Sequence, residues 1–162
     1  MERVSKTNYY LDIAQTVAER STCLRRHFGA IIVKDDSIIS TGYNGAPRGR
    51  ENCSDIGHCY REALGIPRGE RYELCRSVHA EANAIIAASY QQTQGATLYL
   101  TCTDPKTGKI QPSTNSCSMC KRFIINSGIK KVIVRETKDT FSEYDVEKWV
   151  INDDSISGKF GY

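Results

Sequence analysis

Two segments of this chain each open an apolar helix on side chains that bind metals. The first, RSVHAEANAI at residues 76–85, sets His79 and Glu81 at the start of an alanine- and isoleucine-rich run. Ala80, Ala82, Ala84, Ile85, Ile86, Ala87 and Ala88 predict a buried helix from Val78 to Tyr90. In mid-helix, residues two apart point to nearly opposite sides. His79 and Glu81 can therefore share a site only if the end of the helix faces it. The second segment, CSMCKRFIINSG at residues 117–128, spaces Cys117 and Cys120 so that both sulfurs lie on one face of a first turn, with Gly128 as the stop. Helix N-termini also stabilise thiolates. Two such mouths meeting head-on supply one histidine and two thiolates, with a fourth position left for water. An open Zn²⁺ site of that kind is catalytic rather than structural. Glu81, on the same first turn as His79, would lean over the bound water.

The rest of the chain predicts a scaffold for two opposed helix ends. Residues 7–21 form a helix with Leu11, Ala14, Val17 and Ala18 on its apolar stripe. GAIIVKDDSIISTGYN is a hairpin turning at Asp35 and Asp36. ATLYLTC and KKVIVRE are strands, residues 103–116 a polar loop, and residues 142–151 a last helix. This alternation is that of an α/β fold, a sheet with helices on both faces, and ligands collect at strand and helix ends in such folds. A length of 162 residues suits one domain spanning 1–162, with residues 45–76 irregular and a loose tail at 155–162.

Composition excludes several classes. The net charge of +3 is too mild for a nucleic-acid binder, and no apolar run reaches transmembrane length. The N-terminal MERVSKTNYY is too polar for a signal peptide. Seven cysteines without a secretion signal favour reduced thiols and metal ligands, and so the cytoplasm, over a disulfide framework. Two rivals are a non-catalytic zinc-binding module, which leaves Glu81 without a task, and a hydrolase pairing Cys120 with His79.

Zinc nucleobase deaminases carry H-x-E followed by P-C-x-x-C. Here the matching stretches are HAE at 79–81 and SCSMC at 116–120. RSTCLRRHFGAIIVK, TGYNGAPRG, ELCRSVHAEANAI and CSMCKRFIINSGIKKVIV occur in the same order as in deoxycytidylate (dCMP) deaminases. The chain thus resembles the zinc-dependent cytidine/deoxycytidylate deaminase family over residues 20–134. Two departures stand beside the site. Ser116 replaces the usual proline, and the stretch from Tyr99 to Cys117 is longer than the usual link. The Ser116 hydroxyl is expected to cap the zinc helix.

The resemblance implies a cytidine-deaminase-like three-layer α/β/α sandwich with a mixed central sheet. It implies hydrolysis of dCMP to dUMP and ammonia, with His79, Cys117 and Cys120 on the catalytic zinc. Glu81 would move protons between water, N3 and the departing amine. The alternatives are dCTP, free cytidine or deoxycytidine, or another nucleobase as substrate. Asn44 is assigned to the deoxyribose hydroxyl, and Arg25 and Arg26, whose guanidinium forks match phosphate, to the 5′-phosphate. Gly45 would belong to an effector site for dCTP and dTTP, with Mg²⁺ accompanying the nucleotide, in a homo-oligomer that is commonly a hexamer.

Residues 45–76 are too long for a structureless loop and carry three cysteines. Cys53, Cys59 and Cys75, with Cys23 from the end of the first helix, would hold a second, structural zinc there, His58 being an alternative to Cys59. Cys102 is expected to be an inert apolar thiol.

Overall fold

The hairpin expected at residues 29–44 forms β1 (His27–Lys34) and β2 (Ser37–Tyr43). Asp35 and Asp36 join them at φ of 50° and 59°, the left-handed pair a tight hairpin turn requires and aspartate tolerates. The computed structural model describes residues 1–153; the predicted loose tail at 155–162 lies outside them. Strands β3 (Thr97–Thr103), β4 (Lys131–Arg135) and β5 (Phe141–Asp145) complete a five-stranded sheet in the order β2-β1-β3-β4-β5. β3 and β4 run parallel and the other pairs antiparallel, so the sheet is mixed.

Alternate residues of each strand face opposite layers. On one side Ile31, Val33, Tyr99 and Ile133 pack against Tyr10, Leu11 and Ala14 of α1 (Lys6–Ala18). On the other, Ala30, Ile32, Leu98, Leu100, Val132 and Val134 meet Ala80 and Ala84 of α4 (Ala80–Ile86), Ile124 of α6 (Ser118–Asn126) and Val146 of α7 (Val146–Ile151). The layers are helix, sheet, helix, as expected. Two glycines let the helices come this close. A Cβ on Gly29 would stand 1.9 Å from Ala14 O, and one on Gly42 would stand 2.3 Å from Ala80 O and 2.4 Å from Ala84 N.

Three expectations are corrected. α1 starts at Lys6, with Ser5 accepting from Asn8 N–H, and ends at Ala18 rather than at residue 21. The helix expected over 78–90 stops at Ile86; Ser89 then starts the one-turn α5 (Tyr90–Thr93), with its hydroxyl on Gln92 N–H and the Gln92 side chain on its own N–H. The helix expected over 142–151 is half strand. FSEYD alternates in burial and pairs antiparallel with β4, and Asp145 then caps α7 by accepting from Glu147 N–H.

The polar loop after β3 begins as a small excursion of that strand. Asp104 accepts from the N–H groups of Lys106 and Thr107, and Thr103 bridges to Ile110. Residues 45–76 are organised by two single-turn helices, α2 (Cys53–Ile56) and α3 (Tyr60–Ala63), and a 3₁₀ turn at Tyr72–Leu74.

Arg135 ties β4 to α1 and is almost wholly buried. It donates to Gln15 Oε1 at 2.9 Å, Asn8 O at 3.2 Å and Asp12 Oδ1 at 2.8 Å. Arg135→Ala removes all three bonds and leaves a cavity, an expected loss of about 2–4 kcal/mol in urea unfolding. Asp12 is more than half exposed, so Asp12→Ala should cost only about 1 kcal/mol. Equal losses in the two variants would mean that the ion pair, not the buried network, is what counts.

Candidate metal centre

α4 opens on His79 and α6 on Cys117, each in the extended conformation of a helix N-cap. Neither side chain makes a capping hydrogen bond to its helix, and both turn toward a common point. The two mouths meet there as expected. His79 Nδ1 lies 3.5 Å from Cys117 Sγ and 3.5 Å from Cys120 Sγ, and the three donor atoms fall within 4.8 Å of one another. Zn–S bonds of about 2.3 Å and a Zn–N bond of about 2.0–2.1 Å at a tetrahedral angle separate N from S by roughly 3.5 Å. The donor set fits zinc in spacing and in donor type.

Its electrostatics fit as well. Burial pulls His79 down, but hydrogen bonding to Cys117 and Cys75 and the charge of Glu81 outweigh it and push the imidazole up to about 11. Cys117 is drawn down to about 4, first by its hydrogen bond with Cys120 and then, against burial, by His79. Cys120 is pushed up by the same bond with Cys117. The Cys117 thiolate thus draws protons onto His79 and Cys120, and a divalent ion would displace them. Glu81 is 4% exposed. Burial raises its pKa, the nearby His79 opposes this, and Cys117 adds to it.

His79, Glu81 and Cys117 line a cavity together with Asn115 and Phe28. The cavity is also lined by Arg25 and Arg26, the residues assigned to the phosphate, together with Arg61 and Arg68 from the irregular segment. Arg25 approaches Glu62 at 3.9 Å, and Arg26 donates to Arg25 O. Asn44 lines the cavity, but most of its side chain is committed to the protein. Its Oδ1 accepts from Ser21 Oγ and Phe28 N–H, while its Nδ2 donates to Arg26 O. Gly45 is buried, and its N–H and C=O both pair with Val78, one residue before the His79 cap. This pair of bonds fixes the backbone that leads into His79. The sequence reading does not single out Arg61, Arg68 or Tyr72; the basic, aromatic run PRGERY at 67–72 is a local signal for Arg68 and Tyr72, and Arg61 has none.

Cys23, Cys59 and Cys75 line the same cavity. Cys53 faces them, its thiol raised by burial and then by the charges of Cys23, Cys75 and Cys59. Among the described residues, only His79, Cys117 and Cys120 have donor atoms gathered as tightly as a metal needs. His58 is exposed and away from the cavity wall. Cys102 is fully buried in β3 and pushed up to about 12 by that burial, an inert thiol as expected.

Residues 4–136 match the family model for the cytidine and deoxycytidylate deaminase zinc-binding region. The chain belongs to this family. It is 38% identical over 138 residues to the deoxycytidylate deaminase of Mycobacterium phage D29, covering 82% of this chain and 96% of that one. It is 34% identical over 131 residues to the deoxycytidylate deaminase of Schizosaccharomyces pombe, but spans only 37% of that longer protein. The solved dCMP deaminase of cyanophage S-TIM5, in complex with dCMP and dUMP, has a TM-score of 0.55 and 25% identity, with 85% of each chain covered.

Against this deaminase family the departure at Ser116 takes a form the sequence did not suggest. Cys117, not Ser116, is the N-cap of α6, and no side chain caps it. Ser116 is fully buried, and its N–H donates to Asn115 Oδ1 at 2.8 Å. Its hydroxyl stands close enough to Glu81 to lower that pKa, without a hydrogen bond of good geometry. The capping expectation is therefore overturned.

Proposed function

We propose that the chain hydrolyses dCMP to dUMP and ammonia, with His79, Cys117 and Cys120 holding a catalytic zinc. The observation that carries this is the meeting of two helix mouths, with a histidine nitrogen 3.5 Å from each of two cysteine sulfurs and the buried Glu81 in the same cavity. His79, Cys117 and Cys120 would hold the zinc, which would supply an activated water as nucleophile at neutral pH. Glu81 is the proton carrier. It would take one proton from the attacking water and deliver it to N3 of cytosine, then take the second from the hydroxyl now on C4 and deliver it to the departing amine as the C4–N bond breaks. A buried carboxylate suits this work, because burial brings its pKa closer to the operating pH.

The arginine-bearing walls support a 5′-phosphate on the substrate. Arg25 and Arg26 would hold it, and the second N–H of Asn44 would reach the sugar. This supports dCMP over free cytidine or deoxycytidine. Accordingly kcat/KM for dCMP should exceed that for deoxycytidine by orders of magnitude, with added salt narrowing the gap. Equal values for nucleoside and monophosphate would overturn the nucleotide assignment, and a preference for dCTP would move it to the triphosphate.

A second, structural zinc on Cys23, Cys53, Cys59 and Cys75 is supported by their convergence on one region, and the exposure of His58 favours Cys59 as the ligand. On this proposal residues 45–76 are a zinc-stapled insertion in a single domain. Purified protein should then contain two zinc ions per chain by elemental analysis. One ion would remove the four-cysteine site, and none would remove the mechanism. Seven unpaired cysteines agree with a cytoplasmic setting. No helix among the described residues is long and apolar enough to cross a membrane. Binding of dCTP and dTTP with Mg²⁺ near Gly45, and assembly into a hexamer, are supported by the family resemblance.

A further inference from the structure

The side chain that ligates from outside a helix needs holding. His79 precedes α4 in extended conformation, so the helix restrains neither its ring plane nor its rotamer. Ligating histidines are usually oriented by a partner outside the metal's donor set. Here that support comes from the irregular segment. The Tyr72 ring stands edge-to-face with the His79 ring, their centroids 5.2 Å apart and their planes at 80°. Cys75 adds a hydrogen bond to His79.

Tyr72 is itself held by two contacts and follows a residue of costly backbone. Its hydroxyl accepts from Gly69 N–H at 3.2 Å. The Arg61 guanidinium lies over its ring, 4.2 Å from the centroid. Arg71, just before it, holds φ 52° and ψ 45°, a left-handed conformation costly for a residue with a Cβ. Arg61 is 5% exposed and closes the clasp by donating to Pro67 O at 2.8 Å and to Glu70 O. The ring it fixes lies against the metal-binding histidine and lines the same cavity.

We propose that Tyr72, clasped by Arg61, is the positioning residue that fixes the imidazole plane of His79 toward the two sulfurs. The irregular segment then does more than close the cavity: it sets the geometry of a ligand on another element. The inference rests on His79 being a zinc ligand.

The test compares Tyr72→Ala, Tyr72→Phe, Arg61→Gln and a His79→Ala reference in the full chain. Metal affinity is measured by chelator competition, and ligand geometry by NMR of the cadmium-substituted protein, where a two-cysteine, one-histidine set and an all-cysteine set give separate signals. Tyr72→Ala should weaken metal binding at the histidine site by roughly 10–100-fold, the usual effect of losing an orienting partner, and shift its signal. Tyr72→Phe keeps the ring but loses the Gly69 bond, and Arg61→Gln loses the clasp; both should fall between the parent and Tyr72→Ala. Should Tyr72→Ala fail to fold, Tyr72→Leu fills most of the volume without an aromatic edge and should show the same loss. A folded Tyr72→Ala or Tyr72→Leu protein with parental affinity and an unshifted signal overturns the inference. His79→Ala tests the ligand assignment separately: unchanged metal at that site in this variant would overturn the assignment itself.

Discussion

Glu81→Gln should keep its zinc and bind dCMP, yet turn it over roughly 10²–10⁴-fold more slowly. The substitution preserves shape and removes only the ability to take up and release a proton. Glu81 shares the cavity with His79 and Cys117, but its carboxylate does not belong to the three-donor cluster. Elemental analysis of the variant should therefore match the parent. Nucleotide binding should persist as well, because the proposed phosphate and sugar contacts lie on Arg25, Arg26 and Asn44. Loss of zinc in the folded variant would make Glu81 a ligand. Retention of parental turnover would transfer the proton work to another group, and Ser116, buried beside it, would be the first to examine. Glu81→Asp, one methylene shorter, should recover part of the rate, since it restores the carboxylate at the wrong reach.

The ligand set was legible in the sequence because each half of it is local. His79 and Glu81 flank the start of one helix, and Cys117 and Cys120 flank the start of another. A helix end converts such short spacings into a shared direction. The layered fold was legible for a similar reason, since the strands and α1 carry clear periods. Legibility failed where a local signal competed with the period. Ala87 and Ala88 extend an apolar run that reads as continuing helix, while the capping pair Ser89 and Gln92 starts a new turn. FSEYD leads directly into a helical stretch, so its strand alternation was absorbed into that helix. The cavity wall formed by Arg61, Arg68 and Tyr72 was hidden for a deeper reason. Those side chains come from a segment with no period, and their places depend on contacts across the fold, such as the clasp of Arg61 on the carbonyls of Pro67 and Glu70.

Gly29→Ala and Gly42→Ala make a matched pair that separates folding from function. Each glycine lies where a helix crosses the sheet without room for a Cβ. At Gly29 the added carbon meets backbone of α1, 1.9 Å from Ala14 O and 2.5 Å from Ala18 N. At Gly42 it meets backbone of α4, 2.3 Å from Ala80 O and 2.4 Å from Ala84 N. Backbone cannot rotate away, so the helix has to shift, and overpacking of this kind costs about 1–3 kcal/mol or more. Melting temperatures should fall by roughly 2–4 °C for each kcal/mol in a chain of this size. The functional consequences should differ. α1 packs on the opposite face from the site, so folded Gly29→Ala protein should keep its zinc and most of its kcat/KM. α4 carries Glu81 and begins at His79. Even a shift of a few tenths of an ångström there moves the histidine nitrogen against two sulfurs fixed on another helix, and it re-aims the proton carrier. Gly42→Ala should therefore lose zinc affinity and turnover well beyond its loss of stability, when assayed at temperatures where both variants are folded. If both variants lose activity only in proportion to unfolded protein, then α4 re-seats without disturbing its N-terminus, and the close packing at Gly42 serves the fold alone.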